Sequence, residues 1–402
     1  MIDATQEHRV VVVGCARVAL RVACVFAVVA AALTGACGAP ADEAPATALP
    51  IDGYIWRRSW TPALREVASS PPAEVDRLRV LVVEDEPQQG SGRRAVTVPV
   101  DAAALARSGR PVVAVWRISG TDSLDRADPA LLLEAVRGMR EAGARVVGVE
   151  VDYDCPTAAL SGYVAWLRGL RSSLGAVQPP PLLGVTALPT WRENPQALRA
   201  LAKGTDEVTV QVHAIAAPAL FDPDRAGRVA TAFSETAGAP VSIALPTYSA
   251  QIKDGVRLGV REEDVARVVR ELRAVSPARR AVTRIAFFRL GAADDVSVFS
   301  APALAAVARG EAPAGAFVVE AEAASDGAVT IAVRGTGTAA TPLPAAIDVG
   351  THVVGRLEAG DGFAGYRFDA ASRTFIFSHP GPPPRVRPGD VVRVGWVRPE
   401  SP

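Results

Sequence analysis

Arg145-Val-Val-Gly-Val-Glu-Val-Asp-Tyr-Asp-Cys-Pro156 is an apolar run that ends in three carboxylates at alternate positions, Glu150, Asp152 and Asp154. A strand repeats every second residue and rises about 3.3 Å per residue, so the three acids share one face with neighbours roughly 6 to 7 Å apart. Like charges that close resist ionising together and raise at least one pKa. A chain keeps such crowding where a metal, a cation or a polar substrate makes use of it.

Working outward, strand-like runs recur at Gly53 to Arg57, Arg79 to Val83, Pro111 to Ile118, Arg145 to Asp154, Leu182 to Leu188, Glu207 to His213, Pro240 to Leu245 and Arg284 to Leu290. Most are continuous Val, Ile, Ala and Leu, as in strands buried on both faces. Helix punctuation separates them. Asp128-Pro129, Asn194-Pro195 and Asp222-Pro223 each place a capping side chain before a first-turn proline, and Gly143, Gly204 and Gly238 mark the exits. Thr157 is expected to cap a helix with an apolar stripe of Leu160, Val164, Leu167, Leu170 and Leu174, and Trp166 to cover the barrel's outer wall there. Arg261 to Val275 and Ser300 to Arg309 read as the last two helices. Eight alternating units with no glycine-rich phosphate loop predict an α/β fold, a TIM-type (β/α)8 barrel over residues 51–312. Beyond residue 312 short β-rich runs separated by Gly, Asp and Pro predict a small antiparallel, sandwich-like domain over 313–402.

Sites on such barrels lie at the carboxyl ends of the strands. Those ends carry Trp56, Glu84-Asp85-Glu86, Trp116-Arg117, the acidic trio, Trp191, Gln211 with His213, Tyr248 and Arg289. Indoles among carboxylates suit a sugar, whose C–H faces meet aromatic rings while its hydroxyls meet acids and amides. Trp56, Trp116, Arg117, Trp191, Gln211, His213 and Arg289 are therefore the candidate substrate-binding residues. Glycoside hydrolysis needs a protonated carboxyl at the leaving oxygen and a group across the ring. Asp154 is the candidate acid, Asp152 the carboxylate that raises its pKa, and Glu150 the deepest member, paired with Arg117 or Arg289. The opposite partner would come from residues 84–86, from Tyr248 or from an acetamido group on the substrate. A structural ion network built on the same arginines, and indoles packed against loops, are the competing readings. Magnesium or calcium bound by the acids is a third reading, less favoured because the oxygen-rich companion loops of a calcium site are absent; a lone histidine does not make a zinc site, and no metal or cofactor is expected.

At the amino end Arg9, Arg17 and Arg21 precede the apolar run Ala23 to Ala32, which leads into Leu33-Thr34-Gly35-Ala36-Cys37. This reads as a lipoprotein signal peptide over 1–36 with Cys37 lipidated, then a tether to residue 50 rich in Ala, Pro and acids. The apolar run is shorter than the ~20 residues of a spanning helix. The expected location is a bacterial cell envelope, lipid-anchored, with Gly38 after the cysteine favouring the outer membrane. Cys155 would be the one thiol left in the mature chain, read as a small buried residue. A formal net charge of +0 without a basic run argues against nucleic acid. Carbohydrate and, through the lipid, a membrane remain as partners.

Val149-Glu-Val-Asp-Tyr-Asp-Cys-Pro156, Ala187-Leu-Pro-Thr-Trp191 and Val210-Gln-Val-His213 together resemble the bacterial family called domain of unknown function 3142. More distantly, Glu150, Asp152 and Asp154 resemble the Asp-x-Asp-x-Glu signature on the fourth strand of family-eighteen chitinase-like hydrolases, with Asp154 in place of the terminal Glu. That resemblance implies a barrel acting on an amino-sugar glycan, with a substrate acetamido group as nucleophile. It equally implies the alternative of a non-catalytic glycan-binding or scaffolding lipoprotein on the same fold.

Overall fold

The computed structural model describes residues 10–13, 49–87, 93–119, 124, 127–214, 220–251, 257–295, 297–324, 326–349, 357–360, 364–381 and 383–399. The stretch Leu33 to Cys37 read as the end of a lipoprotein signal, the apolar run before it and nearly all of the expected tether lie outside the described residues. Two compact units are present: residues 45–312, and residues 313–402 with the amino-terminal stretch.

The first unit is a closed barrel of eight parallel strands: β1 (Ile51–Ile55), β2 (Arg77–Pro87), β3 (Val112–Ile118), β4 (Val146–Tyr153), β5 (Leu182–Ala187), β6 (Glu207–Gln211), β7 (Val241–Pro246) and β8 (Val282–Phe288). Each strand pairs with the next, and β8 pairs with β1 to close the ring. A short strand, Arg93–Thr97, folds back antiparallel on the long end of β2. The helices are α1 (Pro62–Ser69), α2 (Ala102–Ser108), α3 (Ala130–Glu141), α4 (Leu160–Leu174), α5 (Pro195–Gly204), α6 (Pro223–Ala237), α7 (Glu262–Ala274) and α8 (Ala301–Ala308).

Local chemistry sets the helix ends. Asn194 accepts a hydrogen bond from the Ala197 amide at 3.2 Å, and Asp222 one from the Arg225 amide at 3.2 Å, each just before the proline predicted to open the helix. Gly238 leaves α6 in the left-handed conformation at φ 69°, which a Cβ would strain. Two caps differ from expectation. Helix α3 starts at Ala130 with Pro129 at the cap position and no side-chain cap, Asp128 accepting instead from the Ala130 amide at 2.9 Å. Thr157 begins a single 3-10 turn, Thr157–Ala159, and α4 starts at Leu160 without a side-chain cap. Pro156 holds the chain extended there and its carbonyl accepts from the Ala159 amide at 2.8 Å, so a tight turn intervenes first. The predicted stripe Leu160, Val164, Leu167, Leu170 and Leu174 is buried.

Outward-facing strand residues and the inner helix faces form one continuous apolar core. The inside of the barrel is different. Asp52, Glu150 and Glu207 meet Arg77, Arg79 and Arg284 there, three carboxylates against three guanidiniums. Register does this: Asp52 lies opposite Arg77 and Tyr54 opposite Arg79 across β1 and β2. Arg79 is 1% exposed and joins Asp52, Glu150, Glu207 and the Thr209 hydroxyl. Burial alone would lift the Glu207 carboxyl, but Arg79, Arg77 and the Ser242 hydroxyl overcome it and hold it at about 2.

The second unit is built of antiparallel sheets. A hairpin of Phe317–Ala323 and Val329–Gly335 continues through Val391–Pro399 to Leu357–Gly360. A smaller sheet joins Ala346–Asp348, Thr374–Phe377 and Tyr366–Asp369. Ile331, Val333, Ile347, Tyr366, Phe375, Val394 and Val397 fill the core between them. Val10–Val13, four β-branched residues inside the stretch read as a leader, pairs as an edge strand with Val318 to Ala321.

Candidate functional site

A cleft of about 220 Å³ opens at the carboxyl end of the barrel, lined by Tyr54, Trp56, Arg117, Asp152, Asp154, Thr186, Gln211, His213, Ala244, Tyr248 and Phe288. Strand parity explains the membership. Residues at every second position point inward, so β1 and its exit contribute Tyr54 and Trp56, β4 and its exit Asp152 and Asp154, and β6 and its exit Gln211 and His213. None of the described side chains of β2 lines it.

The charged floor is a fork. Arg117 and Asp152 are register partners on β3 and β4. The Arg117 guanidinium reaches Asp152 Oδ2 at 2.9 Å with one arm and Asp154 Oδ2 at 2.5 Å with the other. Asp152 is 7% exposed and its second oxygen, Oδ1, has no hydrogen-bond partner. Burial pushes its carboxyl from 3.8 up to about 6; Arg117 pulls the other way, and repulsion from Asp154 adds to the rise. Asp152 is thus a cleft carboxyl that burial lifts. Asp154, expected to be the acid with a raised pKa, stands at the strand exit with its side chain half exposed and in contact with a guanidinium. Glu150 lies below the cleft: it accepts from Tyr54 Oη at 2.6 Å and Thr186 Oγ1 at 3.1 Å and is ion-paired to Arg79, not to Arg117 or Arg289. It belongs to the buried ion network.

The aromatic wall also differs from expectation. Of the indoles proposed as sugar platforms, Trp56 lines the cleft, with its ring 5.1 Å from that of Phe288. Trp116 is sealed outside the barrel, its Nε1 donating to Asp85 Oδ2 at 2.9 Å and its ring against Trp166. Trp191 is fully buried, donates to the Cys155 carbonyl at 2.8 Å and packs on Tyr163. Parity dictates the first: with Arg117 inward, Trp116 must face the helices. Arg289 is not among the lining residues: its guanidinium pairs with Asp295 at 3.0 Å and donates to the Trp56 carbonyl at 3.5 Å. Glu84 pairs with Arg58 at 2.8 Å and Asp85 with Trp116, so neither reaches across the cleft; the Glu86 side chain lies outside the description. Cys155 is buried, and burial pushes its thiol up to about 12, an inert group.

Gln211, His213 and Tyr248 gather on the opposite wall. Gln211 Nε2 donates to the His213 carbonyl at 3.0 Å, and His213 Nδ1 lies 3.2 Å from Tyr248 Oη. Burial lowers the imidazole to about 3, so the ring is neutral. Tyr54 and Phe288 were not nominated from sequence. Tyr54 was readable, since it sits two residues before Trp56 and two after Asp52 on one strand face. Phe288 gave no polar signal. Among the described residues no group of three His, Cys, Asp or Glu side chains could hold a metal ion.

Among solved structures the chain is similar to the spore cortex-lytic enzyme SleL of Bacillus megaterium QM B1551, with 13% identity over 61% of this chain and 71% of that one and a TM-score of 0.42. A chitinase from Bacteroides thetaiotaomicron matches at 11% identity over 60% of this chain and 90% of that one, TM-score 0.44. A putative alpha-galactosidase/melibiase from Bacteroides fragilis NCTC 9343 matches at 12% identity over 87% and 79%, TM-score 0.40. No curated protein matches the sequence. Residues 108–290, which carry β3 to β8 and with them Arg117, Asp152, Asp154, Gln211, His213, Tyr248 and Phe288, match the model of the family described as Domain of unknown function (DUF3142).

Proposed function

We propose that the cleft binds a glycan and that Asp152 delivers a proton to a glycosidic oxygen there, making the barrel a glycoside hydrolase of an envelope-tethered protein. The observation that carries this reading is one buried carboxyl, lifted to about 6, on the floor of an open cleft walled by Trp56, Tyr54, Phe288 and Tyr248. Aromatic faces hold a pyranose ring, and a carboxylic acid that keeps its proton near neutral pH is what the leaving oxygen requires. Once that proton leaves, Asp152 and Asp154 oppose the single charge of Arg117, and the excess negative charge faces the sugar cation. The cleft volume, about 220 Å³, suits a sugar ring rather than a drug-sized ligand.

The described lining holds no carboxylate on a strand other than β4. A nucleophile from the substrate, such as the carbonyl oxygen of a 2-acetamido group, fits that arrangement, so an amino-sugar glycan is the substrate favoured. The second reading, glycan binding without turnover, is favoured by the Arg117 fork, which ties Asp154 to a guanidinium where a hydrolase of the resembled type has its acid. Incubation with N-acetylglucosamine oligosaccharides and peptidoglycan fragments, followed by assay of new reducing ends, separates the two. Wild-type protein releases reducing ends and Asp152→Asn does not; retention of glycan without release supports binding alone. Tethering through Cys37 is tested by fractionation, with Cys37→Ser moving the protein out of the membrane fraction.

A further inference from the structure

A second buried polar atom of the cleft lacks a partner. His213 is 4% exposed, its ring stacked on Phe288 at 5.4 Å and set edge-on to Tyr248 at 5.6 Å. Its backbone carbonyl is taken by Gln211 and its Nδ1 by the Tyr248 hydroxyl, while Nε2 meets no donor or acceptor. The tautomer follows from the chemistry of the pair. An imidazole nitrogen is a better acceptor than a phenol oxygen, and a phenol O–H a better donor than a neutral ring N–H. Tyr248 therefore donates to Nδ1, and the hydrogen sits on Nε2. A buried N–H without an acceptor is a standing cost that a ligand oxygen removes.

The charge of the cleft limits which oxygen that is. Among the described lining residues the one cation is Arg117, and both of its arms are already on carboxylates. A ligand carboxylate entering the cleft would meet Asp152 and Asp154 with no free cation among the described lining residues to receive it. Resting on the glycan reading above, we infer that His213 is a specificity-determining residue that donates Nε2–H to a hydroxyl or carbonyl oxygen of an uncharged sugar, so that the cleft discriminates against uronic acids and other anionic glycans.

Equilibrium titration of the full chain with chitotetraose, cellotetraose and tetragalacturonic acid at pH 7 tests this. At least one uncharged tetrasaccharide is expected to bind roughly tenfold or more tightly than the uronate. His213→Leu is expected to weaken that binding about tenfold, the size of one lost hydrogen bond to a ligand. His213→Gln, which returns an N–H donor, restores most of the affinity, and a general disturbance of the cleft would not show that rescue. Tyr248→Phe keeps the ring packing but releases the tautomer, and weakens binding as well; it stands in should His213→Leu fail to fold. Uronate binding as tight as the uncharged ligands, or undiminished binding in both His213→Leu and Tyr248→Phe, overturns the inference while the glycan reading stands. Absence of binding by all three saccharides overturns both.

Discussion

Replacing Asp152 by Asn should change how the stability of the barrel depends on pH, in a direction the site's geometry fixes. The carboxyl has a folded-state pKa of about 6 against 3.8 for the free side chain. Between those values the folded chain holds a proton that the unfolded chain has lost, so stability falls as pH rises from about 4 through 6. The difference is roughly 2 units, or about 3 kcal/mol of stability present below pH 4 and gone by pH 7. Asn keeps the shape and cannot ionise, so the variant lacks this slope. Other groups titrate in both proteins, Glu207 among them with the opposite sign, and they cancel in the comparison. The assay is urea denaturation at pH 4 and pH 7 followed by tryptophan fluorescence, which reports on the barrel because Trp396 alone of the indoles lies in the second unit. Relative to wild type, Asp152→Asn should gain about 3 kcal/mol more at pH 7 than at pH 4. An equal effect at both pH values would show that Asp152 ionises normally, and the proton-donor argument would fall with it.

Three further outcomes follow from the same contacts. Arg79→Met leaves Asp52, Glu150 and Glu207 short of a buried counter-charge and should cost about 3 to 5 kcal/mol in urea denaturation at pH 7; a loss under 1 kcal/mol would mean water reaches the network. Trp56→Ala should lower glycan affinity with little loss of stability, whereas Trp191→Phe should lower the melting temperature and leave glycan affinity unchanged, because its indole is committed to the Cys155 carbonyl. If Asp152 is the proton donor, the rate of glycan cleavage should decline as pH rises through about 6, where the acid form is lost; a rate that climbs from pH 5 to pH 8 would exclude that role.

The barrel was legible because its signals are local: Asn194-Pro195 and Asp222-Pro223 announce their helices, and the strands announce themselves by apolar continuity. The acidic trio was legible for the same reason, since alternation on one strand needs no knowledge of neighbours. What the trio does was not, because the partner of each acid lies on another strand. Glu150 belongs to Arg79 of β2, and only the register of the closed barrel brings the two together. Trp116 was misplaced by proximity to a strand end, although strand parity beside Arg117 carried the answer. Trp191 was less accessible to reasoning, for its burial depends on a 3-10 turn, Pro189–Glu193, that folds the indole under the β4 exit. Arg289 was drawn to the cleft by its position after β8, yet the neighbouring Asp295 captures it.

Reducing-end release from N-acetylglucosamine oligosaccharides, compared at pH 5.5 for wild type, Asp152→Asn and Asp154→Asn, bears most directly on whether this cleft is a catalytic centre. Cleavage should be measurable in wild type and lost in Asp152→Asn while that variant still binds the oligosaccharide. Equal cleavage by wild type and Asp152→Asn, or loss in Asp154→Asn alone, would contradict the assignment of the proton to Asp152.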